Sequence, residues 1–246
     1  MLLDYPVFRG TLHELPDGSP VVINTLNQYS YCVAEQDPAF KKALVESDVL
    51  LPDGVGVTAS LRLLAGIRLQ KIAGADLHLH FLRLLNQTGG SCFYLGSSEK
   101  TLQKIRERLH REYPRIKVDT YSPPFKPVFE PADNQAMLEA INEFKPDVLF
   151  IGLTAPKQEK WAAAHKPALQ AGYVCSIGAV FDFFAGTVER PGPFWIRMGL
   201  EWLIRLLKEP KRMWRRYLYY GPLFVLSILQ QKIRQLIRIS GSRQTV

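Results

Sequence analysis

The sequence predicts an α/β fold in which a mostly parallel sheet is flanked by helices and followed by a basic helical C-terminal appendage. Three observations carry this expectation. Short β-branched or apolar runs alternate with longer segments of helical periodicity through most of the chain. Several of those runs, Val148–Leu153 among them, are continuously apolar, as strands are when both faces of a parallel sheet are covered. Charge is also uneven. From Trp195 onward eleven Lys and Arg face two acids, a net +9 in a chain of +8, so the first 194 residues are close to neutral.

Strands are expected at Val21–Thr25, Asp48–Pro52, Ser91–Leu95, Lys117–Tyr121, Val148–Leu153 and Tyr173–Ile177. Helices are expected between them at Ala39–Glu46, Val55–Leu64, Ala75–Asn86, Glu99–Glu112, Asp133–Phe144 and Pro156–Ala171. Such alternation implies a Rossmann-like sheet with right-handed crossovers. Ligands of these sheets bind beyond the carboxyl ends of the strands. That rule selects Thr25 and Asn27, Asp53 and Gly54, Gly96 and Ser97, Gly152 to Gln158, and Gly178 to Asp182. The proline-rich segment Ser122–Pro131 is a loop, either a wall of a site or a rigid connector. The body, residues 1–193, ends at the breaker run Arg190–Pro193. Residues 194–246 form the appendage: Phe194–Lys208 reads helical, Pro210 permits a new first turn, and a last helix begins near Pro222. In that helix Leu223, Leu226, Leu229, Ile233 and Leu236 recur at helical spacing, with Lys232, Arg234 and Arg238 toward the polar side.

A chain of 246 residues, 47% hydrophobic, suits one globular domain plus an extension. Cys32, Cys92 and Cys175 form no CxxC pair, so neither zinc nor a disulfide framework is expected, and the thiols read as reduced and cytoplasmic. The first residues lack the pattern of a secretory signal. The apolar stretch Tyr217–Leu229 is interrupted by Gly221 and Pro222 and falls short of the roughly 20 residues a spanning helix needs. The expectation is therefore a protein that is soluble or sits on a membrane. Its charge asymmetry points to an anionic partner: nucleic acid, acidic lipid headgroups or a diphosphate. A solvated helix face is the plainer alternative. Interleaving of the cations with Trp, Leu, Ile and Tyr favours a surface that also touches something apolar. With no groove-reading motif present, no nucleic-acid partner is expected.

Asp53, in Leu50–Val57, sits at a strand end before a glycine turn. It reads either as a general base, exposed by the turn beside backbone N–H groups, or as a helix N-cap worth about 1 kcal/mol. Tyr94–Glu99 places Gly96 before a helix whose N-terminus suits phosphate, although a cap by Ser97 or Ser98 explains the residues as well. Lys157, Gln158 and Glu159 crowd the end of the most apolar strand. Asp182 lies among aromatics and needs a partner: a base amide, a ribose hydroxyl or an arginine. No GxGxxG with a downstream acid, no P-loop and no Asp-x-Asp pair occurs, and His78 and His80 alternate too closely for a metal site, so no metal and no cofactor is expected. Without a cation, a departing diphosphate needs forked side-chain donors, and Arg205, Arg212, Arg215 and Arg216 offer them.

Taken together, TLN at Thr25–Asn27, LPDGVGV at Leu51–Val57, GADL at Gly74–Leu77, YLGS at Tyr94–Ser97, PKQEKW at Pro156–Trp161, GAVFDFFAG at Gly178–Gly186 and RPGPFW…GLEWLIRLLKEPKR at Arg190–Arg212 carry a resemblance. The chain resembles the WecG/TagA/CpsF glycosyltransferases of bacterial surface polysaccharide and wall teichoic acid synthesis. The resemblance implies inverting, metal-independent transfer from a UDP-sugar donor carrying N-acetylmannosamine, its uronic acid, glucose or similar. The acceptor it implies is a sugar on a polyprenyl diphosphate, met by a peripheral protein at the cytoplasmic face of the cell membrane. A homo-oligomer and contact with an anionic membrane surface are implied as well. By the same resemblance Asp53 matches the general base, Thr25 and Asn27 the polar residues beside it, and Gln158 a glutamine of the cleft. Asp182 matches an acid near the uracil and Phe125 an aromatic that stacks on it. Arg205, Arg212 and Arg215 or Arg216 match the arginines that close over the diphosphate. The chain departs from the family pattern at Lys71, where an arginine is frequent and a point charge thus replaces a forked donor at an expected diphosphate or acceptor contact, and at Thr154-Ala155, where a glycine is usual. A non-catalytic UDP-sugar-binding scaffold on the same fold is the competing expectation.

Overall fold

The computed structural model describes residues 1–189 and 191–242; Arg190 and Arg243, and the side chain of Arg238, lie outside what is described. Six strands, β1 (Val21–Leu26), β2 (Val49–Pro52), β3 (Ser91–Gly96), β4 (Lys117–Tyr121), β5 (Val148–Gly152) and β6 (Tyr173–Ser176), form one sheet in the order β2-β1-β6-β5-β3-β4. Every pairing is parallel. All six strands lie where the apolar runs predict them.

Side chains alternate across the sheet because strand periodicity is two. Ile23, Tyr94, Phe150 and Cys175 pack with α4 (Gly74–Thr88) and α5 (Glu99–Glu112) on one face. Val22, Leu95, Leu149 and Val174 pack with α6 (Pro131–Phe144) and α7 (Lys157–His165) on the other. His78 of α4 is buried in the first of these layers, its Nε2 2.6 Å from the Tyr94 hydroxyl, and burial pushes its pKa down to about 3. It is a neutral core residue.

A third cluster joins α1 (Gln28–Ala34), α2 (Pro38–Val45) and α3 (Val55–Ala65) to the end of the appendage. Helix α1 escapes the sequence reading because its seven residues hold less than two turns of pattern. Asn27 starts it by accepting from the Ser30 amide. Helix α8 (Val180–Phe184), five residues long, escapes for the same reason.

The appendage consists of α9 (Pro193–Arg197), α10 (Glu201–Lys208), α11 (Pro210–Trp214), a π turn (Arg215–Tyr219) and α12 (Tyr220–Ser242). The single helix expected over Phe194–Lys208 is broken, because Gly199 takes φ +70°, a left-handed conformation that glycine adopts without steric cost. The last helix begins at Tyr220, near Pro222 as expected, and the π turn joins it to α11. Within a helix a proline has no N–H for the preceding turn and its ring needs room there, and the wider π turn lies just ahead of Pro222.

Helix α12 is docked on the body. Phe224 and Ile228 are buried against α1 and α3, each stabilising by about 1.5–3 kcal/mol on area grounds. Gln231 donates to the Tyr31 hydroxyl at 2.9 Å and accepts from the Leu2 amide at 2.8 Å. The opposite side of α12 exposes Val225, Leu226, Leu229, Ile233 and Leu236. No helix among the described residues is long and apolar enough to cross a membrane.

Candidate active site

The carboxyl ends of β1, β2 and β6 open into a pocket roofed by the appendage. From the body come Thr25, Asn27, Gln28, Tyr29, Asp53 and Gly54, with Lys71, Ala73–Ala75, Ile177 and Phe183 beside them. The appendage adds Glu201, Trp202, Arg205, Arg216 and Tyr217.

Asp53 follows β2 and is held by its own amide, which donates to Leu26 O at 2.9 Å. It is not a helix cap. Gly54 occupies the N-cap position of α3, at φ +116°, and no side chain caps that end. The Asp53 carboxylate accepts no hydrogen bond among the described residues and faces the pocket. Burial pushes its pKa up to about 6, and the Glu201 and Asp76 charges add to that rise. Lys71 and Arg205 pull it back. The result is a base whose affinity for a proton is poised near neutral pH.

The cations in and beside the pocket are of two kinds: Lys71, Arg205 and Arg216 line it, and Arg212 lies outside the lining. Lys71 bonds Glu201 at 3.0 Å, which ties the body to α10 and engages a charge expected for substrate. Arg212 is likewise paired, 3.2 Å from Glu209 and 3.6 Å from Asp182. Arg205 and Arg216 have no carboxylate within ion-pair distance among the described residues. The Nε and Nη2 of Arg205 are buried without any hydrogen-bond partner. Leaving such donors unmet costs about 1–3 kcal/mol per group, which a bound anion would recover.

The remaining expected site residues stand apart from the pocket. Gln158 is 4% exposed and donates to Glu159 Oε1 at 2.9 Å beneath the Gly178 turn, so its amide faces inward. Glu159 is buried with it; burial pushes its pKa up to about 7, opposed by the Gln158 bond and the Arg216 charge. Gly96 serves packing, since a Cβ there would lie 2.7 Å from the Gly152 carbonyl. Phe125 is wholly exposed on its loop. That loop is pinned by Lys157, whose Nζ donates to Lys126 O and sits 3.4 Å over the Phe129 ring. Asp182 lies 3.6 Å from Arg212, one of the three kinds of partner expected for it, and stands outside the pocket lining. Arg215 is exposed beside Trp214. Thr154, before α7, takes φ +68°, a strained conformation for a β-branched residue.

The sequence reading did not pick out Tyr29, Phe183, Glu201, Trp202 or Tyr217. Phe183, Glu201 and Trp202 fall within quoted motifs while Tyr29 and Tyr217 lie beyond their ends, and an aromatic or acid there is indistinguishable from a core or surface residue until the chain is folded. Among the described residues no three His, Cys, Asp or Glu side chains gather as a metal-ligand set.

The model of the glycosyl transferase WecG/TagA/CpsF family matches residues 6–238. The chain belongs to that family. It is a glycosyltransferase with a six-stranded parallel sheet and a helical C-terminal appendage. The transferase is 31% identical over 199 residues to a protein of Bacillus spizizenii, covering 81% of this chain and 75% of that one. It is 29% identical over 220 residues to a Bacillus subtilis protein, covering 89% and 83%. Against a Staphylococcus aureus protein the identity is 24% over 210 residues, covering 85% and 80%. All three relatives carry the name N-acetylglucosaminyldiphosphoundecaprenol N-acetyl-beta-D-mannosaminyltransferase. Within the transferase, Asp53 and Lys71 flank α3, whereas Arg205 stands far from both in sequence and reaches the same pocket only because the appendage folds back.

Proposed function

We propose that the transferase moves an N-acetylmannosamine-type sugar from a UDP-sugar, with inversion, onto a sugar carried by a polyprenyl diphosphate. The observation that carries this reading is an unpaired carboxylate, Asp53, sharing one pocket with a buried guanidinium that lacks partners, Arg205. Asp53 takes the proton of the acceptor hydroxyl as its oxygen attacks the anomeric carbon. The bond from that carbon to the UDP oxygen breaks with its electron pair, and Arg205 and Arg216 meet the charge that develops on the diphosphate. Thr25 and Asn27 shape the acceptor side. The names of the relatives support the polyprenyl-diphosphate acceptor and the mannosamine donor.

A UDP-release assay over a panel of UDP-sugars, with a short-chain polyprenyl-diphosphate N-acetylglucosamine as acceptor, tests the reading. Release dependent on both substrates, highest with UDP-N-acetylmannosamine, is expected; release with no donor in the panel would refute it. Because arginines supply the positive charge, turnover is expected to survive excess EDTA. Loss of activity restored by magnesium or manganese would show that a metal does this work.

The same reading places the enzyme peripherally at the cytoplasmic membrane face. Helix α12 offers a stripe of Val225, Leu226, Leu229, Ile233 and Leu236 on the side away from its buried Phe224 and Ile228, with Lys232 and Arg234 nearby. Cations near an anionic surface contribute about 1 kcal/mol each. Co-sedimentation with phosphatidylglycerol vesicles is expected, and the double substitution Leu229→Glu and Ile233→Glu is expected to abolish it without unfolding the protein. Unchanged sedimentation of that variant would rule out α12 as the contact.

A further inference from the structure

We propose that Tyr29 and Phe183 are positioning residues: two aromatic faces of the body that hold the appendage arginines in the pocket with their charge and N–H donors unspent. The Arg216 guanidinium carbon lies 4.6 Å from the Tyr29 ring centroid, and that of Arg205 lies 5.1 Å from the Phe183 centroid. Both rings line the pocket. Tyr29 is in the first turn of α1, which the Asn27–Ser30 caps fix, and Tyr220 packs edge-on against it at 5.1 Å. Phe183 is in α8, just after the end of β6. The two rings thus stand beyond the ends of neighbouring strands, and each receives one arginine from the appendage.

The physical case lies in what kind of partner holds each cation. A carboxylate fixes a guanidinium by taking its in-plane N–H groups and neutralising its charge. An incoming diphosphate must then displace that carboxylate. An aromatic face attracts the cation through the ring quadrupole and leaves the in-plane donors free. Arg212 and Lys71 are of the first kind, paired to Asp182 and Glu209 and to Glu201. Arg205 and Arg216 are of the second, and Arg205 Nε and Nη2 are both buried and unmet. Burial lowers the Arg216 pKa, and the neighbouring Arg212 and Arg205 charges add to that fall, so the geometry over the Tyr29 ring is what marks how this cation is held. The pocket thereby holds two oriented arginines that no carboxylate among the described residues ion-pairs before any substrate arrives, so their N–H donors are free to act on a developing anion.

The inference rests on the reading of the pocket as a diphosphate site, and its test separates the two. Binding of UDP and of inorganic pyrophosphate to the full-length protein is measured by calorimetry, with thermal unfolding as a check on each variant. Tyr29→Leu and Phe183→Leu are expected to weaken both ligands about three- to thirtyfold, as the loss of a desolvated cation–π contact implies. Tyr29→Phe, which keeps the ring, is expected to restore most of what leucine loses. In an Arg216→Ala background Tyr29→Leu is expected to add almost nothing, and likewise Phe183→Leu in Arg205→Ala. Should a leucine variant unfold, pentafluorophenylalanine at position 183 keeps the ring's shape while inverting its quadrupole, and it is expected to weaken binding as leucine would. Folded ring variants that bind both ligands like the parent would overturn the proposal, as would leucine effects that persist undiminished without the arginines. Pyrophosphate binding without UDP binding would overturn the UDP reading and leave the role of the rings standing; a parent protein that binds neither ligand would overturn both.

Discussion

Asp53→Asn is expected to lower turnover by about 10²–10⁴-fold, the ordinary worth of a positioned general base, with UDP affinity expected to stay within a few fold. The substitution keeps the side chain's size and removes only its ability to take a proton. Since no helix end depends on Asp53, the loss is not attributable to an unravelled α3. The parent enzyme's kcat/KM is expected to fall as pH drops through about 6, where the buried carboxyl takes up a proton. That ionisation should vanish from the profile of the residual Asn activity. Stability moves the other way. The folded chain holds this proton more tightly than the unfolded chain, whose Asp titrates at the ordinary 3.8, so the group's contribution favours folding at low pH and is lost as pH rises through about 6. At neutral pH the Asn variant should therefore unfold at higher denaturant than the parent. A folded variant retaining most of its turnover would remove Asp53 from the chemistry.

Arg205→Ala is expected to cost about 10²–10³ in kcat, the scale seen when one preorganised donor to a developing oxyanion is removed. Its guanidinium is buried, unpaired and beside Asp53, so removal also withdraws a charge that holds the base in its ionised form. The low-pH limb of the Ala variant should accordingly shift upward in pH. Arg205→Lys keeps the charge but not the fork and should fall between the two. Single-turnover kinetics separate this from a binding defect: an Ala variant with kcat intact and only KM raised would assign Arg205 to ground-state binding.

Much of the architecture is legible in the sequence because a parallel sheet writes itself as apolar runs separated by helical stretches. Val148–Gly152 and Val49–Pro52 need no tertiary information to be recognised. Strand ends follow from the strands, and with them Thr25, Asn27, Asp53 and Gly54. Pairing is what the sequence withholds. Lys71 and Glu201 are 130 residues apart, and nothing local shows that one will neutralise the other. Arg212 and Arg205 look alike in a basic run, and only the folded chain separates the paired one from the free one. Gln158 sits beside the right strand end yet turns inward, because its neighbour Glu159 is buried and needs a donor. Tyr29 and Phe183 read as core aromatics until the arginines above them are seen.

The π turn at Arg215–Tyr219 sets a rotational phase. Each α-helical residue advances about 100° around the axis, so Arg216 and Phe224, eight positions apart, would point about 80° away from one another in an unbroken helix. Absorbing one residue in the wider turn leaves seven effective steps and brings them to within about 20° of a common line. Arg216 thus looks down at Tyr29 while Phe224, Ile228 and Gln231 look down at the body along the same edge. The stripe of Leu226, Leu229 and Ile233 is thereby aimed outward. A single residue of helical slack works as a vernier. It clocks a long rod so that the guanidinium at one end and the greasy outer edge at the other each arrive at the correct azimuth.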